Sequence, residues 1–273
     1  MPDSLTPGNP MEETPYSADS SIFGKLRRRL ARVMMTKPAR LDGLTRPMLT
    51  VSFDDAPTSA ASFGAKVLEK HNARGTWFIA AGLMGQACHL GAYTRVDEVK
   101  ALAAAGHEIA CHTYSHIDCG KASAGKIARE LDRNQQSMKL MGIAPSQTFA
   151  YPYGDVSPQA KAVLNHRYLA SRALHHGLIE TGTDLNQAPA VGIEGENGEQ
   201  TAMTWLRKAA AAPAWLVLYT HDVRDNPSQW GCTPDAFARV IDEAVAMGFE
   251  IVTFAEGARR ALGMPAASAR AAA

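Results

Sequence analysis

From residue 47 onward, short runs of β-branched and apolar residues alternate with longer helical patterns. This alternation is typical of repeated βα units, in which helices cover a parallel sheet or barrel. The segment 173–204 is less regular, and we interpret it as an insertion or long loop with one short strand near Val191. The other predicted strands, about seven in number, lie at 48–53, 75–79, 108–111, 147–150, 168–171, 215–219 and 250–253.

The helical patterns between these runs begin and end on recognisable residues. Thr233 is a suitable helix cap, Pro234 fits the first turn, and Gly248 follows the last periodic position. Ser157 and Pro158 start another helix in the same way. The predicted fold is therefore α/β, with residues 47–262 forming the main domain.

Composition excludes several other classes of protein. With 273 residues, 46% of them hydrophobic, the chain can bury a large core, and its net charge of +1 gives no overall field for nucleic acid. The four cysteines form no CxxC pair, which favours reduced thiols. We find no run of roughly 18 to 20 apolar residues of the kind that spans a membrane.

Residues 1–46 are predicted to be an N-terminal extension, partly disordered, and residues 263–273 a disordered tail. The first 21 residues are acidic and rich in Pro and Ser, without the basic and apolar regions of a secretory signal, so we expect a cytoplasmic location.

A basic amphipathic segment follows, with five basic residues among apolar residues at helical spacing. One interpretation is a helix that packs on the domain through its apolar stripe, and the other is peripheral contact with an anionic membrane. The basic residues are Lys25, Arg27, Arg28, Arg29 and Arg32, and the stripe is Phe23, Leu26, Leu30 and Val33.

Polar residues follow four of the predicted strands at their carboxyl ends. Asp54 and Asp55 follow the first strand, His112 the third, "YPYGD" the fourth, and His221 the sixth. In a parallel barrel these ends converge on one face, where active sites are built. We therefore expect these side chains to form one site.

The segment "CHTYSHIDC" carries the sharpest local signal. His112 and His116 are four residues apart and would share one face of a helical turn. Two neutral imidazoles and one carboxylate suit a divalent ion such as zinc and leave coordination positions open. Of Asp54 and Asp55, one can bind this ion while the other accepts a proton from water, and spacing does not say which.

Together, "TVSFDD", "HTYSH", "YPYG" and "LVLYTH" resemble the successive motifs of the polysaccharide deacetylase family, the carbohydrate esterases with a NodB-like domain. The resemblance covers roughly residues 47–262. It implies a distorted, incomplete (β/α) barrel of about seven parallel strands. It also implies metal-dependent removal of N-acetyl groups from N-acetylhexosamine units.

The resemblance also implies a role for each motif residue. It makes Asp54 the catalytic base, and Asp55 a metal ligand together with His112 and His116. His221 would be the general acid that protonates the leaving amine. The "YPYG" segment would bind substrate through Pro152, Tyr153 and Gly154, with the Tyr153 backbone N–H donating to the oxyanion.

Two positions depart from the family pattern. The arginine that holds the base in many members is replaced by Ala150, and Arg172 is a candidate substitute. The acidic residue that orients the histidine acid has no clear counterpart, with Asp184 and Glu194 as weak candidates.

Three functions remain open from the sequence. The first is a deacetylase of a bacterial amino-sugar polymer or its lipid-linked precursor, in which Trp230 stacks on a sugar ring. The second is a hydrolase of the same fold acting on a small amide. The third is an inactive glycan-binding protein, which the complete set of motif residues argues against.

Overall fold

Strand β1 (Met48–Phe53) lies at the centre of the structure, and all six of its residues are buried. A strand buried on both faces is typical of a parallel sheet covered by helices. The computed structural model describes residues 21–265. The other strands are β2 (Thr76–Ile79), β3 (Ala87–Cys88), β4 (Gly91–Ala92), β5 (Glu108–Cys111), β6 (Thr148–Ala150), β7 (Ala170–Arg172), β8 (Val191–Gly192), β9 (Trp215–Thr220) and β10 (Glu250–Ile251).

The main sheet has the order β7-β6-β5-β2-β1-β9-β8, with β10 also paired to β1, and each of its pairings is parallel. The segment before β8 lies against the opposite end of the sheet, because Ala188 bridges to Arg172 of β7. The sheet thus curls into an incomplete (β/α) barrel. This confirms the predicted fold, including the short strand near Val191.

Eight helices accompany the strands within the described residues. The predicted caps are present, since the side chains of Ser157 and Thr233 accept from backbone N–H groups and a proline follows each. The helices are α1 (Ile22–Val33), α2 (Ala65–Lys70), α3 (Val96–Ala104), α4 (Ala124–Leu140), α5 (Pro158–Leu164), α6 (Gly198–Ala211), α7 (Pro234–Ala246) and α8 (Phe254–Ala261).

Helix α1 packs on the domain in an orientation that the sequence did not predict. Gly24 and Ala31 are its buried residues, and the apolar stripe predicted to pack inward is exposed. The interpretation of inward packing is therefore wrong. Small residues on the buried face allow the helix backbone to approach the domain closely, which larger stripe residues would prevent.

The predicted terminal disorder falls partly outside the described residues, which exclude 1–20 and 266–273. Within residues 21–265, no helix is both long and apolar enough to cross a bilayer. The four cysteines form no disulfide within that same range.

Candidate active site and metal centre

The carboxyl ends of the central strands bring the predicted site residues together. Asp54 and Asp55 follow β1, His112 follows β5, and His221 follows β9. The Pro152–Gly154 turn follows β6. This convergence follows from parallel pairing, because every strand of the barrel ends on the same face.

Asp55, His112 and His116 form a cluster suited to a metal ion. One ligand atom from each lies within 4.8 Å of the others. Asp55 Oδ1 is 3.9 Å from His112 Nε2 and 3.4 Å from His116 Nε2. These residues supply one carboxylate and two imidazoles, a donor set common in catalytic zinc sites.

The local polar contacts fit an ion in this cluster. Asp55 Oδ1 is buried and has no hydrogen-bond partner among the described residues. His112 Nδ1 lies 2.9 Å from the Ala150 carbonyl, so it carries the proton and leaves the Nε2 lone pair directed at the cluster. An orphaned carboxylate oxygen and an oriented imidazole together indicate a cation site.

The electrostatics of the cluster favour the protonation states that metal ligands need. Burial, together with the nearby His116, lowers the pKa of His112 to about 4, so this imidazole is neutral. Burial alone would raise the pKa of Asp55, but His116 and His112 outweigh it and lower that pKa. Asp55 is therefore a carboxylate.

The two histidines are not on a helical turn, which corrects the geometry expected from their spacing. They lie in a loop where Thr113 and His116 have φ of 63° and 54°. Glu130 of α4 fixes this loop by accepting from the Ser115 N–H at 2.8 Å and the Tyr114 N–H at 3.2 Å. The two imidazoles are therefore brought together by a strained loop conformation that the buried Glu130 carboxylate stabilises, and not by helical periodicity.

Backbone strain is concentrated around the site. Of the seven non-glycine residues with positive φ among residues 21–265, five lie in the site loops. Strained conformations persist only where the surrounding structure determines them, and they are frequent at functional sites. The five are Asp55, Ala56, Thr113, His116 and Tyr153.

Asp54 points away from the metal cluster toward a buried arginine. Arg172 Nη2 donates to both Asp54 oxygens at 2.5 Å. The guanidinium also stacks over the Phe78 and Tyr219 rings, 5.1 and 5.0 Å from their centroids. Arg172 thus has the contact predicted for a substitute of the family arginine.

The sheet register explains how an arginine on a different strand can take this place. Ala150 on β6 is directly paired with Arg172 on β7. Paired residues of neighbouring parallel strands point to the same face, about 5 Å apart. An arginine at either position can therefore extend toward the same carboxylate.

His221 is oriented by Glu194, whose Oε1 lies 3.0 Å from His221 Nδ1. Burial opposes protonation of this imidazole, but the hydrogen bond to Glu194 and the charges of Asp54 and Asp55 outweigh burial and raise the pKa of His221 to about 9. Asp184, the other candidate, instead accepts from Lys161 Nζ at 2.5 Å. Glu194 therefore makes the contact expected of the orienting acid.

The "YPYG" loop forms one wall of the site. Tyr153 has φ 59° and ψ 3°, and its ring packs edge-on against His116 with centroids 4.6 Å apart. Gly154 has φ 66°, and a Cβ there would lie 2.6 Å from Leu174 Cγ. The loop therefore requires glycine at this position.

Trp230 lies beside His221, because its carbonyl oxygen is 3.2 Å from His221 Nδ1, and its ring packs edge-on against His89 with centroids 4.9 Å apart. His89 belongs to the turn between β3 and β4, and its charge contributes to the lowered pKa of Asp55. The sequence gives no signal for His89, because this residue stands in no motif. Its position beside an apolar hairpin gave no signal of proximity to Asp55.

Residues 42–169 match the family model described as polysaccharide deacetylase. This part of the chain is therefore similar to the polysaccharide deacetylase family. Three of the four motifs, all but "LVLYTH", lie within these residues, and the match confirms the resemblance drawn from them.

Several curated proteins and solved structures are similar to parts of the chain. A bifunctional xylanase/deacetylase of Pseudobutyrivibrio xylanivorans is 30% identical over 110 residues, which cover 40% of the chain and 17% of that protein. A peptidoglycan-N-acetylglucosamine deacetylase of Bacillus cereus is 30% identical over 112 residues, covering 40% of the chain and 37% of that protein. The matches thus span well under half of these relatives.

The fold similarity extends further than the sequence similarity. The structure of a family 4 acetyl xylan esterase from Clostridium thermocellum, in complex with a cobalt ion, aligns with a TM-score of 0.57 and 19% identity. The alignment covers 80% of this chain and 93% of that one. It supports the incomplete barrel fold.

Proposed function

We propose that the chain is a metal-dependent hydrolase that removes N-acetyl groups from N-acetylhexosamine units of a bacterial polysaccharide or its lipid-linked precursor. The main support is the position of Asp54, beside the metal cluster but paired with Arg172. This separates the two adjacent carboxylates into a metal ligand and a base, the division that hydrolysis requires.

Asp55, His112 and His116 would hold one divalent ion, and we propose zinc because imidazole and carboxylate ligands suit it. When bound, the ion supplies positive charge that polarises the acetyl carbonyl and lowers the pKa of water toward neutrality. The cobalt ion in the related acetyl xylan esterase supports the choice of a divalent metal.

The other side chains would divide the proton transfers between them. Asp54 accepts the proton of the attacking water, and Arg172 holds its carboxylate in place. The Tyr153 backbone N–H donates to the oxyanion that forms on the acetyl carbonyl. His221, protonated because its pKa is raised, donates to the amine as the C–N bond breaks, giving acetate and a free amino sugar.

Substrate binding is proposed for the rim of the site. Trp230 presents a partly exposed ring on which a sugar can stack, and Pro152 and Gly154 shape the facing wall. The relatives act on different glycans, so the polymer itself is left open.

The test is metal content measured beside acetate release from chito-oligosaccharides. We expect about one divalent ion per chain, and loss of both metal and activity in His112→Ala. His166→Ala, at an exposed histidine outside the site, is the matched control and should keep both. Full metal occupancy in His112→Ala would refute the metal assignment.

Substrate comparison separates the remaining alternatives. Faster turnover of oligosaccharides than of N-acetylglucosamine favours the polysaccharide substrate, and the reverse favours a small amide. Acetylated xylan, assayed in parallel, tests for ester cleavage. Sugar binding without acetate release in metal-loaded protein would indicate a glycan-binding protein.

A further inference from the structure

Exposed apolar side chains are concentrated on one helix. The described residues include thirteen large hydrophobic side chains that are exposed, and seven of them lie within residues 22–35. Ile22, Phe23 and Val33 are 82%, 83% and 73% exposed. Most soluble surfaces show such residues singly, so a cluster of this kind marks an interaction surface.

The apolar residues of α1 form a continuous arc. At about 100° per residue, Ile22, Phe23, Leu26, Leu30 and Val33 fall within roughly 100° of the helix circumference. Gly24 and Ala31, the residues buried against the domain, lie on the opposite side. The arc therefore faces directly away from the protein.

Buried polar contacts hold the helix in this orientation. Lys161 Nζ donates to the Ala31 carbonyl at 2.6 Å. Arg27 Nη2 pairs with Asp155 at 3.0 Å, and Asn186 Nδ2 donates to the Met35 carbonyl at 2.8 Å. These anchors in the middle and at the C-terminal end of α1 prevent the helix from rotating its apolar arc inward.

The charge of the helix identifies the surface that it fits. Helix α1 has five basic residues and no acidic residue, and Lys25, Arg29 and Arg32 are exposed along one side of the apolar arc. A helix with an apolar face bordered by cationic side chains lies in the interface of an anionic bilayer. Basic side chains reach the headgroups while the apolar face enters the acyl boundary.

We infer that α1 is a preformed docking surface for an anionic lipid bilayer. An acidic protein would satisfy the basic residues, but it would leave the convex apolar arc without a matching environment. The arc is rigidly presented, so docking does not require the helix to fold or detach.

The docked helix would also place the site near the bilayer. Asp155, the partner of Arg27, directly follows the Tyr153–Gly154 loop of the active site. The docking itself does not depend on the proposed reaction.

The test is co-sedimentation of the full-length protein with vesicles of phosphatidylcholine, with and without phosphatidylglycerol. We expect binding that requires phosphatidylglycerol and weakens as salt rises. Ile22→Ser/Phe23→Ser should reduce vesicle affinity by about tenfold or more, because it removes the two most exposed apolar side chains. Arg29→Gln/Arg32→Gln should also weaken binding by roughly tenfold or more.

Leu140→Ser is the matched control, since Leu140 is 78% exposed on α4, and it should bind like the wild type. Acetate release from soluble chito-oligosaccharides should be unchanged in all these variants, which separates this inference from the proposed reaction. The membrane-docking inference would be overturned if the wild type does not bind vesicles, or if Ile22→Ser/Phe23→Ser and the wild type bind them equally. Light scattering tests the alternative that the surface binds a second copy of the chain. That alternative would hold if the wild type self-associates without binding vesicles and Ile22→Ser/Phe23→Ser abolishes the self-association.

Discussion

Replacement of Arg172 by methionine should damage both stability and turnover. Arg172 is fully buried, and its only carboxylate partner in the described structure is Asp54, itself 3% exposed. Removing one partner of a buried ion pair typically costs about 3–5 kcal/mol, because the other charge is left without compensation. The loss of the guanidinium contacts with Phe78 and Tyr219 adds to this cost.

The effect on turnover follows from the geometry of the base. Without the two contacts to Nη2, the Asp54 carboxylate is free to rotate, and a displacement of about 1 Å can cost on the order of 10²-fold in rate. We expect kcat to fall by about this factor while KM and metal content change little. Denaturant unfolding measures the loss of stability, and steady-state kinetics measure the rate.

A relocation variant separates positioning from general destabilisation. Because Ala150 and Arg172 are register partners, Ala150→Arg/Arg172→Ala should return a guanidinium to Asp54 from the neighbouring strand. We expect it to recover part of the kcat that Arg172→Ala alone loses. Wild-type kcat in Arg172→Met, or no difference between Arg172→Ala and the relocation variant, would refute the reasoning.

Three further predictions concern the site. Asp54→Asn should keep the metal and lose most turnover, whereas Asp55→Asn should lose the metal; equal metal loss in both, measured by elemental analysis, would contradict the division of labour. Glu194→Gln should shift the alkaline limb of the pH–rate profile to lower pH, because His221 must be protonated to act as an acid and the carboxylate helps to raise its pKa to about 9; an unshifted limb would exclude this role. Gly154→Ala should keep the metal but lower kcat, because residue 154 has φ 66° and its new Cβ would lie 2.6 Å from the Leu174 side chain. An unchanged kcat would show that the loop accommodates the added methyl group.

The sequence predicted the barrel well because its signals are local. Each buried strand is a short apolar run, and each motif residue follows the end of such a run. Parallel pairing then forces these ends onto one face. Residue type and strand order therefore predicted that the histidines and a neighbouring carboxylate meet, whereas the choice of Asp55 over Asp54 as the ligand came from the family resemblance.

The contacts of Arg172 and Glu194 could not be established in the same way. Arg172 is 118 positions from Asp54, and Glu194 is 27 from His221. Neither contact belongs to a contiguous motif, so each depends on how neighbouring strands are registered. The sequence supplied candidates, and the structure was needed to choose between Asp184 and Glu194.

The orientation of α1 was mispredicted for a different reason. Periodicity identifies an apolar face but not the surface that covers it, and the usual assumption is the protein's own core. Here the buried positions are Gly24 and Ala31, whose small side chains add little to any hydrophobic pattern. Polar anchors such as Lys161, rather than apolar burial, fix the helix.

The left-handed backbone at Asp55, Ala56, Thr113, His116 and Tyr153 sets a conflict between folding and evolution. Glycine at any of these positions would relieve strain of about 1 kcal/mol or more, yet the side chains of Asp55 and His116 are the proposed metal ligands. Random mutation that favours stability would therefore tend to erase the site while preserving the barrel. A lineage released from selection for catalysis should accumulate glycine at these positions. The residue types found there would then indicate whether a related chain is still an active enzyme.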